Sequence, residues 1–172
     1  MVTNKRQLIP AAEERNMTTT YLRRSAVLLC VLCLFSLGTV SAQRVSLKNL
    51  PPAVKKTVEE QTQGATIKGL SKEKENGKVQ YEVETVVAGH TRDMLIDESG
   101  SVLEIEEAVD LASLPEAVQS GIKQNAGKGK ILRIEALTKN GTLTAYEVQI
   151  QKTAKKSEFQ VGPDGALIPR KK

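Results

Sequence analysis

A chain of 172 residues with 3% aromatic side chains, no Trp and two Cys excludes a disulfide-stapled miniprotein and a binding platform rich in aromatic anchors. The formal charge of +5 is misleading, because five basic and two acidic residues fall within the first 42 positions, leaving 20 basic against 18 acidic in the remainder. A near-neutral mixture with both signs interspersed does not make a nucleic-acid binder.

Residues 23–42 read RRSAVLLCVLCLFSLGTVSA. Two arginines precede an uncharged apolar run, and small residues at Val40-Ser41-Ala42 follow it. That is the plan of a secretory signal peptide with its cut before Gln43. The apolar run is short for a membrane span, which needs about 20 residues, so the membrane enters only as an anchor if the segment stays uncleaved. Met17 is an alternative start just upstream. Cys30 and Cys33 both lie in this segment. The mature chain is therefore expected in the periplasm or outside the cell without disulfide, thiol nucleophile or thiolate metal site, and must be held by a hydrophobic core.

A helix is predicted next. Leu50, Ala53, Val54, Thr57, Val58 and Gln61 recur at helical spacing. Pro51 and Pro52 suit a first turn, Asn49 is a candidate cap and Gly64 a stop. The strand KVQYEVETVV then alternates, with Val79, Tyr81, Val83, Thr85 and Val87 on one face and Gln80, Glu82 and Glu84 on the other. Further strands, DMLI and VLEI, flank the turn DESG.

The pattern then starts again. Leu114, Ala117, Val118, Gly121, Ile122 and Asn125 make a second helical stripe, with Ser113 and Glu116 at capping-box spacing and Gly127 as a stop. TAYEVQIQ puts Tyr146, Val148 and Ile150 opposite Glu147, Gln149 and Gln151, and GPDG turns EFQV into ALI. About 64 residues apart, Leu50-Pro51 matches Leu114-Pro115, Asn76-Gly77 matches Asn140-Gly141, Tyr81-Glu82-Val83 matches Tyr146-Glu147-Val148, and Gly100 matches Gly165. An internal repeat is one supersecondary unit used twice. The two Asn-Gly pairs are hairpin turns needing positive φ at both residues. The predicted fold class is α+β: two tandem repeats, each one helix followed by about four antiparallel strands, with the helices packed on one sheet face. The divisions are 1–42 (N-terminal extension and signal peptide), 43–108 (repeat 1) and 109–172 (repeat 2).

The LPPAV helix, GKVQYEVE and DMLIDESGSVLEIEE together resemble the PepSY-like and beta-lactamase-inhibitor-like modules of secreted bacterial proteins. The second copy departs from the pattern in placing Gly162 where the first has Asp97. The resemblance implies a non-enzymatic tandem module whose sheet offers a protein-binding face, and relatives thought to restrain peptidases.

Little else carries chemistry. His90, the only histidine, reads as an exposed residue of a hairpin connection, since a metal site wants three or four ligands. EIEEAVD (104–110) lacks the alternating acidic pattern of a Ca²⁺ loop and reads as a solvated strand end or linker. Asp97 and Asp164 read as turn residues accepting backbone N–H groups. NAGKGK (125–130) has no Walker spacing and reads as a helix stop. No cofactor or metal site is expected. The candidate partner-binding residues are Glu82, Glu84, Gln149 and Gln151, which should share the sheet face turned away from the helices. The expected role is inhibition or regulation of a peptidase or other envelope protein. The alternative is a ligand-sensing or structural envelope protein that holds a small molecule or a subunit.

Overall fold

Strand order follows sequence order throughout the sheet: each of nine strands is antiparallel to the next. The computed structural model describes residues 42–75 and 77–170. The predicted signal segment and its small-residue motif up to Ser41 lie outside the described residues. The strands are β1 (Gln43–Arg44), β2 (Thr66–Glu75), β3 (Lys78–Val87), β4 (His90–Asp97), β5 (Val102–Ala108), β6 (Lys130–Lys139), β7 (Thr142–Lys152), β8 (Lys155–Val161) and β9 (Leu167–Ile168). Helix α1 (Pro52–Gln61) precedes β2, and helix α2 (Glu116–Ala126) lies between β5 and β6. The architecture is thus a mixed α/β one dominated by strand. Among the described residues, no helix is long and apolar enough to cross a membrane.

Each helix lays its stripe on its own core. Val54 and Val58 of α1 meet Tyr81, Val83, Met94 and Ile96. Val118, Ile122 and Ala126 of α2 meet Ile134, Tyr146, Val148, Ile150 and Val161. Each fully buried aliphatic side chain contributes roughly 1.5–3 kcal/mol. The cores lie on one sheet face: Ile105, packed with α1, opposes Thr138, two residues from Ala136, which is packed with α2. All these residues fall between Val45 and Val161, so both cores lie within the described residues.

The turns explain the glycines. Asn140 and Gly141 adopt φ of 47° and 77°, the positive pair that a two-residue hairpin requires. Gly100 and Gly165, at φ 87° and 82°, end turns that press against the helices. Thr57 Oγ1 donates to the Gly100 carbonyl at 2.7 Å. At the matching place in α2, Gly121 leaves room for the backbone of Gly165.

Asp97 and Asp164 both accept backbone N–H groups in these turns. Asp97 Oδ1 takes Ser99 N and Ser101 N, each at 2.9 Å. The Ser99 hydroxyl, also bonded to it, is the largest influence holding the Asp97 carboxyl below its usual range. Asp97→Ala is expected to cost about 1 kcal/mol, read as a lowered urea midpoint; an unchanged midpoint would remove Asp97 from the list of turn-fixing residues.

Two cap expectations are corrected. Asn49 and Ser113 end 3₁₀ turns (Leu47–Asn49 and Leu111–Ser113) rather than capping the α-helices. The N-cap positions are Pro51 and Pro115, which make no side-chain cap bond. The extra turn displaces the polar residue by two positions, and Ser113 Oγ instead donates to the Asp110 carbonyl at 2.7 Å. Helix α1 stops at Thr62, before Gly64, whereas Gly127 does close α2.

Candidate functional site: an acidic sheet face

The helices cover one face of the sheet. The other face is set by register, because directly opposed residues of an antiparallel pair point the same way. Glu84 opposes Asp93, Asp93 opposes Glu106, and Glu106 opposes Leu137. One step along, Glu82 opposes Leu95, Leu95 opposes Glu104, and Glu104 opposes Lys139. On the other side, Glu135 opposes Glu147, and Glu147 opposes Gln160. The result is a field of carboxylates crossing strands β3 to β7. Leu137 and Ala145, opposed on β6 and β7, share this face and are buried within it, only 5% and 3% exposed.

Among the described residues, two basic side chains form ion pairs here. Arg133 pairs with Glu135 at 2.5 Å and donates to Thr91 Oγ1 at 2.7 Å. Lys139 pairs with Glu104 at 3.2 Å. Ser71 Oγ donates to Glu82 at 3.1 Å, and Gln160 Nε2 donates to Glu147 at 2.9 Å. Glu84 Oε2 occupies the space left by Gly69, where a Cβ would lie 2.6 Å from it.

Burial of so many like charges makes ionisation difficult. Glu106 is pushed up to about 7, first by burial and then by Glu135, Glu104, Glu147 and Asp93. Burial is also the largest cause raising Glu82, Asp93, Glu135 and Glu147 above the ordinary carboxylate range.

The four predicted partner-binding residues separate into two groups. Glu82 and Glu84 lie side by side within the acidic field. Gln149 and Gln151 are on β7, four strand spacings or about 19 Å away. There Gln149 Nε2 donates to Glu158 at 3.1 Å and Gln151 Nε2 to the Thr153 carbonyl at 3.2 Å.

Sequence reading missed Asp93, Glu104, Glu106 and Glu135. The expectation for EIEEAVD is corrected: Glu104 and Glu106 are half-buried members of β5, an interior strand of the sheet, not a solvated end. The alternation in LEIE (103–106) was the available signal. His90 is exposed, as expected, but is the first residue of β4 opposite Val87 rather than part of the turn. Among the described residues no three His, Cys, Asp or Glu groups gather closely enough to hold a metal ion.

The family model described as beta-lactamase-inhibitor-like, PepSY-like matches residues 39–104 and again residues 86–169. The chain belongs to this PepSY-like family. Solved structures share its fold. A Bacteroides eggerthii protein, provisionally placed in the periplasm by its name, is 14% identical, with a TM-score of 0.58 over 70% of this chain and 86% of its own. A BLIP-like protein from Bacteroides fragilis is 20% identical, with a TM-score of 0.55 over 71% and 86% of the respective chains. A Bacteroides ovatus protein of the DUF2874 family is 14% identical, with a TM-score of 0.57 over 70% and 85%. No curated protein matches the sequence. The PepSY-like fold therefore presents its helix-free face, here lined with carboxylates, as the surface with most distinctive chemistry.

Proposed function

We propose that this PepSY-like protein is a non-enzymatic binding module, exported and freed of residues 1–42, that regulates or inhibits a peptidase or another envelope protein. It comprises two modules, residues 43–108 and 109–172, each one helix and about four strands. The observation that carries this reading is the helix-free sheet face. It is broad, and it gathers charge that the fold itself has no use for. The family membership and the provisional periplasmic name of the Bacteroides eggerthii relative support the compartment. Glu82 and Glu84 lie on β3 at one side of the acidic field, and Gln149 and Gln151 on β7 at the other, so a partner spanning it reaches all four.

Affinity capture with residues 43–172, from envelope extract and culture fluid, tests this. Glu84→Arg with Glu106→Arg is expected to release the captured protein, weakening it at least about tenfold. Lys56→Glu on the outer surface of α1 is expected to leave it bound. Release by the α1 change, or equal retention by both variants, would remove the face from the mechanism. Capture of a small molecule or another subunit in place of a regulated protein would favour the alternative, a ligand-sensing or structural envelope role.

A further inference from the structure

Taking the helix-free face as the protein-binding surface, we propose that its partner presents an extended, lysine- and arginine-rich segment to it. Three observations lead there.

The first is charge segregation. The part of the chain after residue 42 carries 20 basic and 18 acidic residues, so an even spread would leave every face near neutral. Instead Glu82, Glu84, Asp93, Glu106 and Glu147 stand on one face with no ion pair among the described residues; Arg133 and Lys139 pair with Glu135 and Glu104, and Asp93 and Glu147 feel Arg133 and Arg170 only at longer range.

The second is a buried acceptor beside a carboxylate. Glu73 is 7% exposed and opposes Gln80 at the β2 side of the same face. Among the described residues Glu73 has no hydrogen bond or ion pair, and Gln80 Oε1 is buried with no donor. A buried acceptor without a donor, beside a carboxylate, calls for a donor from outside, and a cation is the strongest such donor.

The third is spacing. Glu82 and Glu84, like Glu104 and Glu106, are two residues apart on a strand, about 6.7 Å. An extended peptide with a cation at every second residue has the same repeat.

The test is an NMR titration of ¹⁵N-labelled residues 43–172 with a twelve-residue peptide alternating Lys and Thr. Amide shifts are expected at Glu73, Glu84, Asp93, Glu106 and Leu137, with α1 and α2 unmoved. Affinity should fall about tenfold or more on raising salt from low to near-molar, because the pairs are partly exposed and screened. Glu84→Gln with Glu106→Gln should weaken binding about tenfold. This variant keeps side-chain shape and removes like charges, and its thermal unfolding verifies that it folds. Equal shifts from a Glu–Thr peptide, shifts confined to the helices, or no binding at all would overturn the proposal. So would the same shifts produced more tightly by calcium chloride, which would make the face a divalent-cation site. If a captured partner still depends on the face while the peptide does not bind, only the cationic chemistry fails. If neither touches the face, the protein-binding reading fails with it.

Discussion

Gly121→Ala is expected to destabilise the protein by about 3 kcal/mol, the upper end of overpacking costs. In the middle of an exposed helix the same change would stabilise by up to about 1 kcal/mol, because alanine is the better helix former. Here the new Cβ would lie 2.0 Å from the Gly165 carbonyl oxygen and 2.9 Å from its carbon. Both obstacles are backbone, so no side-chain rotation relieves them. Gly165 cannot retreat readily, since its own Cα faces the Ala117 carbonyl, 2.2 Å from where a Cβ would stand, at φ 82°. The helix and the β8–β9 turn must separate, and with them the contact of α2 on Val161. Gly64→Ala is the control: its φ is 75° but nothing lies within 4 Å of a Cβ, so only the left-handed backbone cost of about 1–2 kcal/mol applies. Urea unfolding of both variants measures the difference. A Gly121→Ala protein as stable as the parent would mean that the close approach of α2 to the turn is not a structural requirement.

The second large effect is a stability that rises as the solution becomes mildly acidic. Glu106 titrates at about 7 in the folded protein, against roughly 4.3 for an unhindered glutamate. A folded value above the unfolded one means that the folded state holds the proton more tightly. That contribution is complete below about 4.3 and is lost as pH climbs through 7. The whole shift would correspond to some 3–4 kcal/mol at 1.36 kcal/mol per unit. Partial exposure of the carboxylate and solvent screening reduce this to about 1–2 kcal/mol. Glu73, Glu82, Asp93, Glu135 and Glu147 are raised too and act in the same direction. Asp97, lowered by its Ser99 bonds, acts oppositely, but only as pH falls through the acid range below about 4. Thermal unfolding at pH 5 and pH 8 should show the parent more stable at pH 5. Glu106→Gln should be the more stable of the two proteins at pH 8, by about 1–2 kcal/mol, and match the parent near pH 5. Destabilisation of Glu106→Gln at pH 8 would show that the charged carboxylate has a partner that the geometry does not reveal.

These expectations depend on features that were legible in the sequence to different degrees. Alternation placed Tyr81, Val83 and Val148 towards the helices, and all three are buried there. Helical spacing found both apolar stripes, and Asn140-Gly141 announced its hairpin. Those signals are local, and the physics that produces them acts within a few residues. Which strands lie side by side is not local. Glu106 and Glu135 are 29 positions apart, and only the pairing of β5 with β6 makes them neighbours. A reader of EIEEAVD alone sees charge and infers solvent. The caps failed for a similar reason: nothing in Leu47–Asn49 or Leu111–Ser113 distinguishes a preliminary 3₁₀ turn from the first turn of the α-helix itself. The outward residues were visible as a set, but the field that they create is a property of the assembled sheet.

The strict neighbour-to-neighbour order of the strands also bears on how the protein is made. A polypeptide appears N-terminus first, whether from a ribosome or through a membrane pore. In this sheet each new strand from β2 to β9 finds its partner already delivered, and none must wait for a later one. Short-range pairings of this kind form quickly, since little loop entropy is lost in each closure. The first core needs nothing beyond Ile105, so half of the molecule can be finished before the other half emerges, and β5 then stands ready as the template on which the second half zips up.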